Sequence, residues 1–259
     1  MPRIDTASFG EPNQAMDKVG SVAIIGAGDF IGSAIARTFA RAGYAVHGGR
    51  RDGEKLKSLE DEISATGGSF IGHTLDARSE EAIAGFLDAA NPPEAPLEAV
   101  IFNIGANVQF PVIETTERVF RKVWEMACYA GFLTGREAAR RMLEHGRGSI
   151  FFTGATASVR GAAGYAAFAS AKAGLRATAQ AMARELGPRN IHVAHLIIDA
   201  GVDTAWVRER IAAAKPGAEI AEGALMDPAR IAETYLMLHR QQQDAWTHEL
   251  DLRPFGESW

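Results

Sequence analysis

Gly26, Gly28 and Gly32 stand between the apolar run Ser21-Val22-Ala23-Ile24-Ile25 and the segment Ser33-Ala34-Ile35-Ala36-Arg37-Thr38-Phe39-Ala40. The run reads as a fully buried parallel strand, and the later segment carries apolar residues at helical spacing. Glycine belongs where a backbone turns sharply and approaches another group closely, because a Cβ would block both. Phe30 and Ile31 complete the turn. The helix behind it offers unpaired N–H groups and a positive dipole end, so this turn can hold a pyrophosphate. Further along, Thr153, Thr156 and Ser158 follow another apolar strand, where hydroxyls face a bound molecule or close a turn. Tyr165 precedes Lys172 by seven residues. That spacing is two helical turns and sets a phenol and an ammonium on one helix face, about 10 Å apart at the backbone.

Positioning these groups takes an alternation of strands and helices. Gly43 closes the first helix, and Tyr44–Arg51 follows as a second strand, a βαβ unit of the length of a dinucleotide fold. Asp52 to about Thr66 reads as a helix, Ser69–Asp76 as a strand, and Ser79–Ala90 as a helix with Ser79 as N-cap. Leu97–Asn103 is a strand ending at Ile104-Gly105. A long helical region from about Thr116 to Glu144 precedes the strand Ser149–Thr153. A second, alanine-rich helix spans Gly164–Leu186 and stops at Gly187-Pro188. Ile191–Ile198 is a strand. Asp227-Pro228 opens a helix through about Arg240, since Asp caps well and Pro suits the first helical position. Thr247–Leu252 alternates as a last, half-exposed strand. The order predicts an α/β fold, a single Rossmann-like domain over 19–259 with a doubly wound parallel sheet and helices on both faces. Ligands then sit at the carboxyl ends of the strands. Residues 1–18 lack periodicity and read as a mobile leader.

The totals narrow the partners. With 259 residues, the chain can bury a sizeable core. A net charge of −5 supplies no basic field for nucleic acid. The lone Cys128 excludes an internal disulfide framework and a multi-cysteine zinc site. The seven histidines fall at no ligand spacing, so no metal site is expected. No apolar run approaches a membrane span and no secretion signal opens the chain, so the expectation is a cytoplasmic protein.

Together, the glycine turn, Asp76 after the third strand, Asn103-Ile104-Gly105 after the fourth, and Ala171-Lys172-Ala173-Gly174-Leu175 resemble the short-chain dehydrogenase/reductase family. The resemblance runs from about Ser21 to Leu252. It implies a nicotinamide dinucleotide cofactor and a role for each matching position. Gly26 and Gly32 match the first and last glycines of the phosphate turn, with Phe30 at the middle position and Gly28 extra. Asp76 matches the acid that contacts the adenine amino group. Asn103 and Gly105 match part of the family's Asn-Asn-Ala-Gly segment, with Phe102 in place of the first Asn. Lys172 matches the lysine that holds the nicotinamide ribose. Thr204, after Val202-Asp203, matches the threonine near the carboxamide, although the family's Pro-Gly is absent. At the end of the second strand a carboxylate binds a ribose 2′-hydroxyl, whereas guanidinium groups accommodate a 2′-phosphate. Arg50 and Arg51 stand there, which favours NADP(H) over NAD(H). Asp29 pulls the other way, because NADP(H)-using relatives often carry a basic residue at that place.

The chain departs from the family where proton transfer occurs. Phe168 occupies the position of the tyrosine that gives a proton to a carbonyl oxygen, Ala155 that of the orienting serine, and Cys128 that of the helix asparagine. Of the usual group only Lys172 stays. The Tyr165-(six residues)-Lys172 spacing is similar to the enoyl reductases of this superfamily, which implies Tyr165 at an enolate oxygen and reduction of an activated C=C bond; Thr156 is a further candidate. Tyr165 also reads as a residue lining the helix start or a subunit contact. Cys128 reads as a small buried residue, and His73 and His195 as structural. Two functions follow: an NAD(P)(H)-dependent oxidoreductase with a non-standard site acting on a C=C or C=O bond of a small molecule, or a catalytically silent relative that binds NAD(P)H as a sensor or partner subunit. The resemblance also implies a homotetramer or homodimer through the two long helices. The C-terminal aromatics Phe255 and Trp259 are expected to dock on a neighbour.

Overall fold

The computed structural model describes residues 20–214, 216–217 and 219–257. The leader expected over 1–18 and the aromatic Trp259 lie outside these residues. In chain order the strands are β1 (Ser21–Ile25), β2 (Ala45–Arg50), β3 (Ser69–Thr74), β4 (Leu97–Phe102), β5 (Gly148–Thr153), β6 (Ile191–Ile198), β7 (Gly201–Val202), β8 (Leu225–Met226) and β9 (Glu249–Leu252). Seven of them form one sheet in the order β3-β2-β1-β4-β5-β6-β9, and every neighbouring pair is parallel. β7 and β8 pair separately. The order in which strands are added reverses between β1 and β4. In a doubly wound sheet that switch opens a crevice at the carboxyl ends of the strands.

Helices cover both faces: α1 (Ile31–Arg41), α2 (Lys57–Ala65), α3 (Glu80–Ala89), α4 (Glu117–Trp124), α5 (Ala130–His145), α6 (Ala166–Leu186), α7 (Ala205–Ala214) and α8 (Pro228–His239). Side chains of a strand alternate between faces, and β1 divides the core accordingly. Val22 and Ile24 pack with Ile35 and Phe39 of α1 and Ile231 and Tyr235 of α8. Ala23 and Ile25 pack with Ile83 and Leu87 of α3, Met142 of α5 and Leu175 of α6. Both faces of β1 are buried, which is why it reads as a nearly unbroken apolar run.

Four local features differ from the sequence-based expectation. The region expected as one helix over 116–144 is wound as a π-helix at Glu125–Tyr129, between α4 and α5. Trp124 and Tyr129, five residues apart, stack at 5.9 Å, the neighbour relation of this wider turn. The helix expected from Asp52 begins as a 3₁₀ turn at Gly53–Leu56. α6 starts at Ala166, so Tyr165 precedes the helix instead of standing two turns before Lys172 on it. Gly164 takes φ +81°, and its carbonyl accepts a hydrogen bond from Phe110 N (2.8 Å), which ties the chain into a loop at this point. α7, in the stretch 202–225, is amphipathic in neither direction and has no buried residue, so no periodic signal announces it.

Candidate active site

Two cavities of about 610 and 500 Å³ open along the carboxyl ends of the sheet. They share Gly26, Gly28, Asn103 and Gly105 and so form one cleft. The glycine turn shapes its centre. Gly26 has φ +94°, and a Cβ there would come within 2.7 Å of the Asn103 carbonyl oxygen; at Gly32 a Cβ would collide with the Gly26 carbonyl. Gly28 differs, because a Cβ on it would meet nothing within 4 Å. Its missing side chain keeps space in front of α1, which has neither a side-chain cap nor an acid in its first turn. Backbone N–H groups at an uncapped helix start, facing open space, fit a phosphate.

Asn103 is held by a chain of hydrogen bonds that starts in the core. Burial pushes the Tyr235 hydroxyl above the usual phenol range, which keeps it a donor. It donates to Thr153 Oγ1 (2.6 Å), Thr153 donates to Asn103 Oδ1 (3.1 Å), and Asn103 Nδ2 donates to the Gly26 carbonyl (3.1 Å). Thr153 is therefore committed on both sides and fixes Asn103 against the turn. Ser158 is likewise a turn residue, its Oγ accepting from Ala155 N (3.1 Å).

The larger cavity brings Thr156, Tyr165, Lys172, Val202 and Thr204 together with Phe30 and Ile31. Lys172 is buried, and its Nζ donates to the carbonyls of Ile104 (3.0 Å) and Thr153 (2.8 Å). Burial pushes its pKa down to about 8. The ring of Phe168, which fills the tyrosine position, is centred 6.0 Å from Nζ and offers no proton. Cys128 is buried beside α6, where a Cβ on Gly174 would come within 2.8 Å of its Sγ; burial pushes the thiol up, so it stays protonated. Tyr165 donates to Gln109 Oε1 (3.3 Å), an oxygen also reached by Arg210 of α7 (3.3 Å). Thr204 caps α7, its Oγ1 accepting from Val207 N (3.1 Å).

Thr156 donates its hydroxyl to Asp199, at the end of β6. Asp199 is buried, and its other oxygen accepts from Arg253 Nε (2.8 Å), while Arg160 reaches the Thr156-bonded oxygen at 3.3 Å. Burial works to raise this carboxyl, but the bonds from Thr156 and Arg253 and the two positive charges hold it below the usual carboxylate range. Asp199 and Arg160 were not legible as site residues. The available signal was a lone arginine inside the small-residue stretch from Gly154 to Gly164.

The smaller cavity holds Arg50, Arg51 and Asp76. Arg50 is bonded to Asp29 (2.7 Å), so the acid that argued against NADP(H) is neutralised at the cost of one guanidinium. Arg51 has no ion pair among the described residues. Asp76 is clasped by Arg78 (2.6 Å), whose hydrogen bonds hold its pKa at about 2. His73 pairs with His47 (3.1 Å) and His195 with Glu249 (3.1 Å), and neither lines the cleft.

Comparison with known proteins agrees with this geometry. The short chain dehydrogenase family matches residues 21–215. The crystal structure of a short-chain dehydrogenase from Rhodopseudomonas palustris is 55% identical, covering 91% of this chain and 99% of that one, with a TM-score of 0.79. A metagenomic short-chain oxidoreductase solved in complex with NADP is 25% identical, over 93% of this chain and 100% of the other, with a TM-score of 0.77. The 7alpha-hydroxysteroid dehydrogenase of Escherichia coli is 29% identical over 186 residues, 71% of this chain and 72% of its own. With the family matched over residues 21–215 and a relative 55% identical across nearly its whole length, this chain belongs to the short-chain dehydrogenase family of NAD(P)-dependent oxidoreductases.

Proposed function

We propose that the protein is an NADP(H)-dependent reductase of a small molecule with an activated C=C bond, working through a site that lacks the usual tyrosine, serine and asparagine. The observation that carries the cofactor choice is the charge of the smaller cavity. Arg50, Arg51, Lys55 and Arg78 line it against Asp52 and Asp76, and Arg51 makes no ion pair among the described residues. A guanidinium at the end of β2 suits a 2′-phosphate. The NADP complex of the metagenomic relative supports the same choice.

NADP(H) bound along the cleft would supply or accept the hydride. The chain's own groups would do the rest. Backbone N–H groups at the start of α1 bind the pyrophosphate, with Gly28 leaving room for it. Asn103 and Gly105 border the middle of the cofactor, and Val202 and Thr204 its carboxamide end. Lys172 holds the ribose hydroxyls and adds positive charge behind the reacting centre. Tyr165 directs its hydroxyl to the oxyanion that develops when a carbonyl-conjugated C=C bond accepts hydride, and Phe168 keeps water from that wall. The enolate oxyanion needs only a hydrogen-bond donor, and its α-carbon then takes a proton from solvent water to complete the reduction, whereas ketone reduction needs a proton delivered to oxygen within the site, which Phe168 cannot give. Thr156, whose proton is committed to Asp199, presents oxygen lone pairs to the cavity and orients the substrate.

A fluorescence titration with NADPH and NADH tests this reading. NADPH is expected to bind more tightly, and Arg51→Ala to weaken NADPH about tenfold or more while leaving NADH nearly unchanged. Turnover of enones and enoyl thioesters should then fall at least tenfold in Tyr165→Phe. Failure of both cofactors to bind would end the oxidoreductase reading. Tight NADPH binding without turnover on any enone, enoyl thioester or ketone would favour the silent cofactor-binding relative, a role that the loss of three proton-transfer groups also suits.

A further inference from the structure

Beyond the hydride chemistry, the wall of the larger cavity carries an uneven distribution of charge. Ala155, Ala157, Phe168, Val202, Trp206 and Val207 make most of it apolar. Among the described residues, its one carboxylate is Asp29, which lies in the glycine turn and is bonded to Arg50. Its cations are Lys172 and Arg160. Lys172 is buried and already donates to two carbonyls. Arg160 is different, because its side chain is 49% exposed and its contact with Asp199 is a single one at 3.3 Å.

The partners of Asp199 are unequal. Arg253 holds one oxygen at 2.8 Å, and the Thr156 hydroxyl bonds the other. Arg160 is the outermost and most weakly bonded of the three. It can turn toward a ligand without leaving the buried carboxylate unpaired, since Arg253 and Thr156 remain. A guanidinium pairs a carboxylate through two parallel N–H bonds, and an apolar surround strengthens such a pair relative to water. Conversely, a neutral ligand gains less from Arg160, and a cationic one is repelled by it.

We infer that Arg160 is a specificity-determining residue that anchors the anionic group of the substrate, so that the cavity takes compact amphipathic organic acids, an apolar body bearing one carboxylate. Calling this ligand the substrate rests on the oxidoreductase reading, but the anion preference itself does not. The apolar body lies against Phe168, Val202 and Trp206, and the acid group reaches Arg160.

Two fluorescent probes that differ by one acid group test this on the full chain, with and without NADP⁺. 8-Anilinonaphthalene-1-sulfonate carries a sulfonate, and N-phenyl-1-naphthylamine is the same body without it. The acid probe is expected to bind about tenfold more tightly than the neutral one. Arg160→Gln should remove that difference while leaving the neutral probe and NADPH binding unchanged, and Arg160→Lys should restore part of it. Ala157→Trp, which narrows the cavity, should weaken both probes and so locate them there. 4-Phenylbutanoate should displace the acid probe from wild type at lower concentration than 4-phenylbutanamide does. Absence of acid-probe binding, equal affinities of the two probes in wild type, or an acid preference that survives Arg160→Gln would each overturn the inference. If NADPH does not bind, the oxidoreductase reading fails, yet the probe comparison still decides the role of Arg160.

Discussion

Lys172 is the group through which burial and pH meet and, in the proposed function, cofactor binding as well. Its ammonium is enclosed, and removal from water lowers its pKa from 10.5 to about 8. In the unfolded chain the same group keeps its proton to near its ordinary value. Between about pH 8 and 10.5 the unfolded state therefore binds more protons, and this residue's contribution to stability rises with pH across that window. The cost of burying the charge is present in full below pH 8. Cofactor affinity should run the other way, since ribose hydroxyls are held by the charged form. We expect the NADPH dissociation constant to rise as pH increases through about 8, by about tenfold between pH 7 and 9.5, and to be weak and nearly flat with pH in Lys172→Met. A wild-type constant that does not change over that range would remove Lys172 from the binding site. The neighbouring substitutions leave this lysine with fewer chemical duties. With Phe168 over Nζ and a protonated Cys128 nearby, no phenol remains beside it for the ammonium to acidify.

At the scale of elements, caps were readable because their chemistry is local. Ser79 accepts from Ala82 N (3.2 Å) and Asp227 from Ala229 N (2.8 Å), each at the start of the helix its residue type announced. Asp227→Ala should lower stability by about 1 kcal/mol, measured by urea denaturation, with no change in NADPH affinity, because no α8 residue lines the cleft and Tyr235 reaches it through Thr153. Elements whose limits depend on distant partners were not readable in this way. The start of α6 is decided by the bond from Phe110 to Gly164, 54 residues away in the chain, and this bond moves Tyr165 off the helix. The π-helical turn at Glu125–Tyr129 pairs Trp124 with Tyr129 outside while Ala127 and Cys128 pack inward, an arrangement that needs α6 as the opposing surface. α7 has no buried residue and is tied by the Thr204 cap, the Arg208–Asp203 ion pair and the Arg210–Gln109 bond.

Over the whole molecule, three of the exposed large apolar side chains are aromatics of α4 and α5. Phe120 and Trp124 of α4 and Phe132 of α5 are each about two-fifths exposed (41%, 41% and 42%). They follow one another along the outer side of the helical pair, and large aromatics there are costly in water. We expect two copies of this face to cover each other, giving a dimer or tetramer by light scattering at micromolar concentration. The pair Trp124→Glu and Phe132→Glu should shift the mass toward the monomer, and a wild-type monomer would remove the expectation. Phe255 is 86% exposed, although its ring lies against Gly223, so it remains a second candidate for contact. No helix among the described residues is long and apolar enough to cross a membrane.

The amino-acid sequence by itself determined the layered α/β fold, the glycine turn between β1 and α1, and the residue types that stand in the cleft. Each is written in short-range terms: apolar runs of strand length, three glycines within seven residues directly after such a run, and the identities of Phe168, Ala155 and Cys128. Tertiary structure alone decided which polar groups are still available in the cleft. Arg50 is committed to Asp29, while Arg51, beside it in the chain, has no ion pair. Thr153 is used by Asn103 and Tyr235, and Thr156 by Asp199. Those pairings join residues 21 to 82 positions apart. The charge and hydrogen-bonding state of a side chain depend on what the fold sets within about 3 Å of it, and no local pattern of residue types records that.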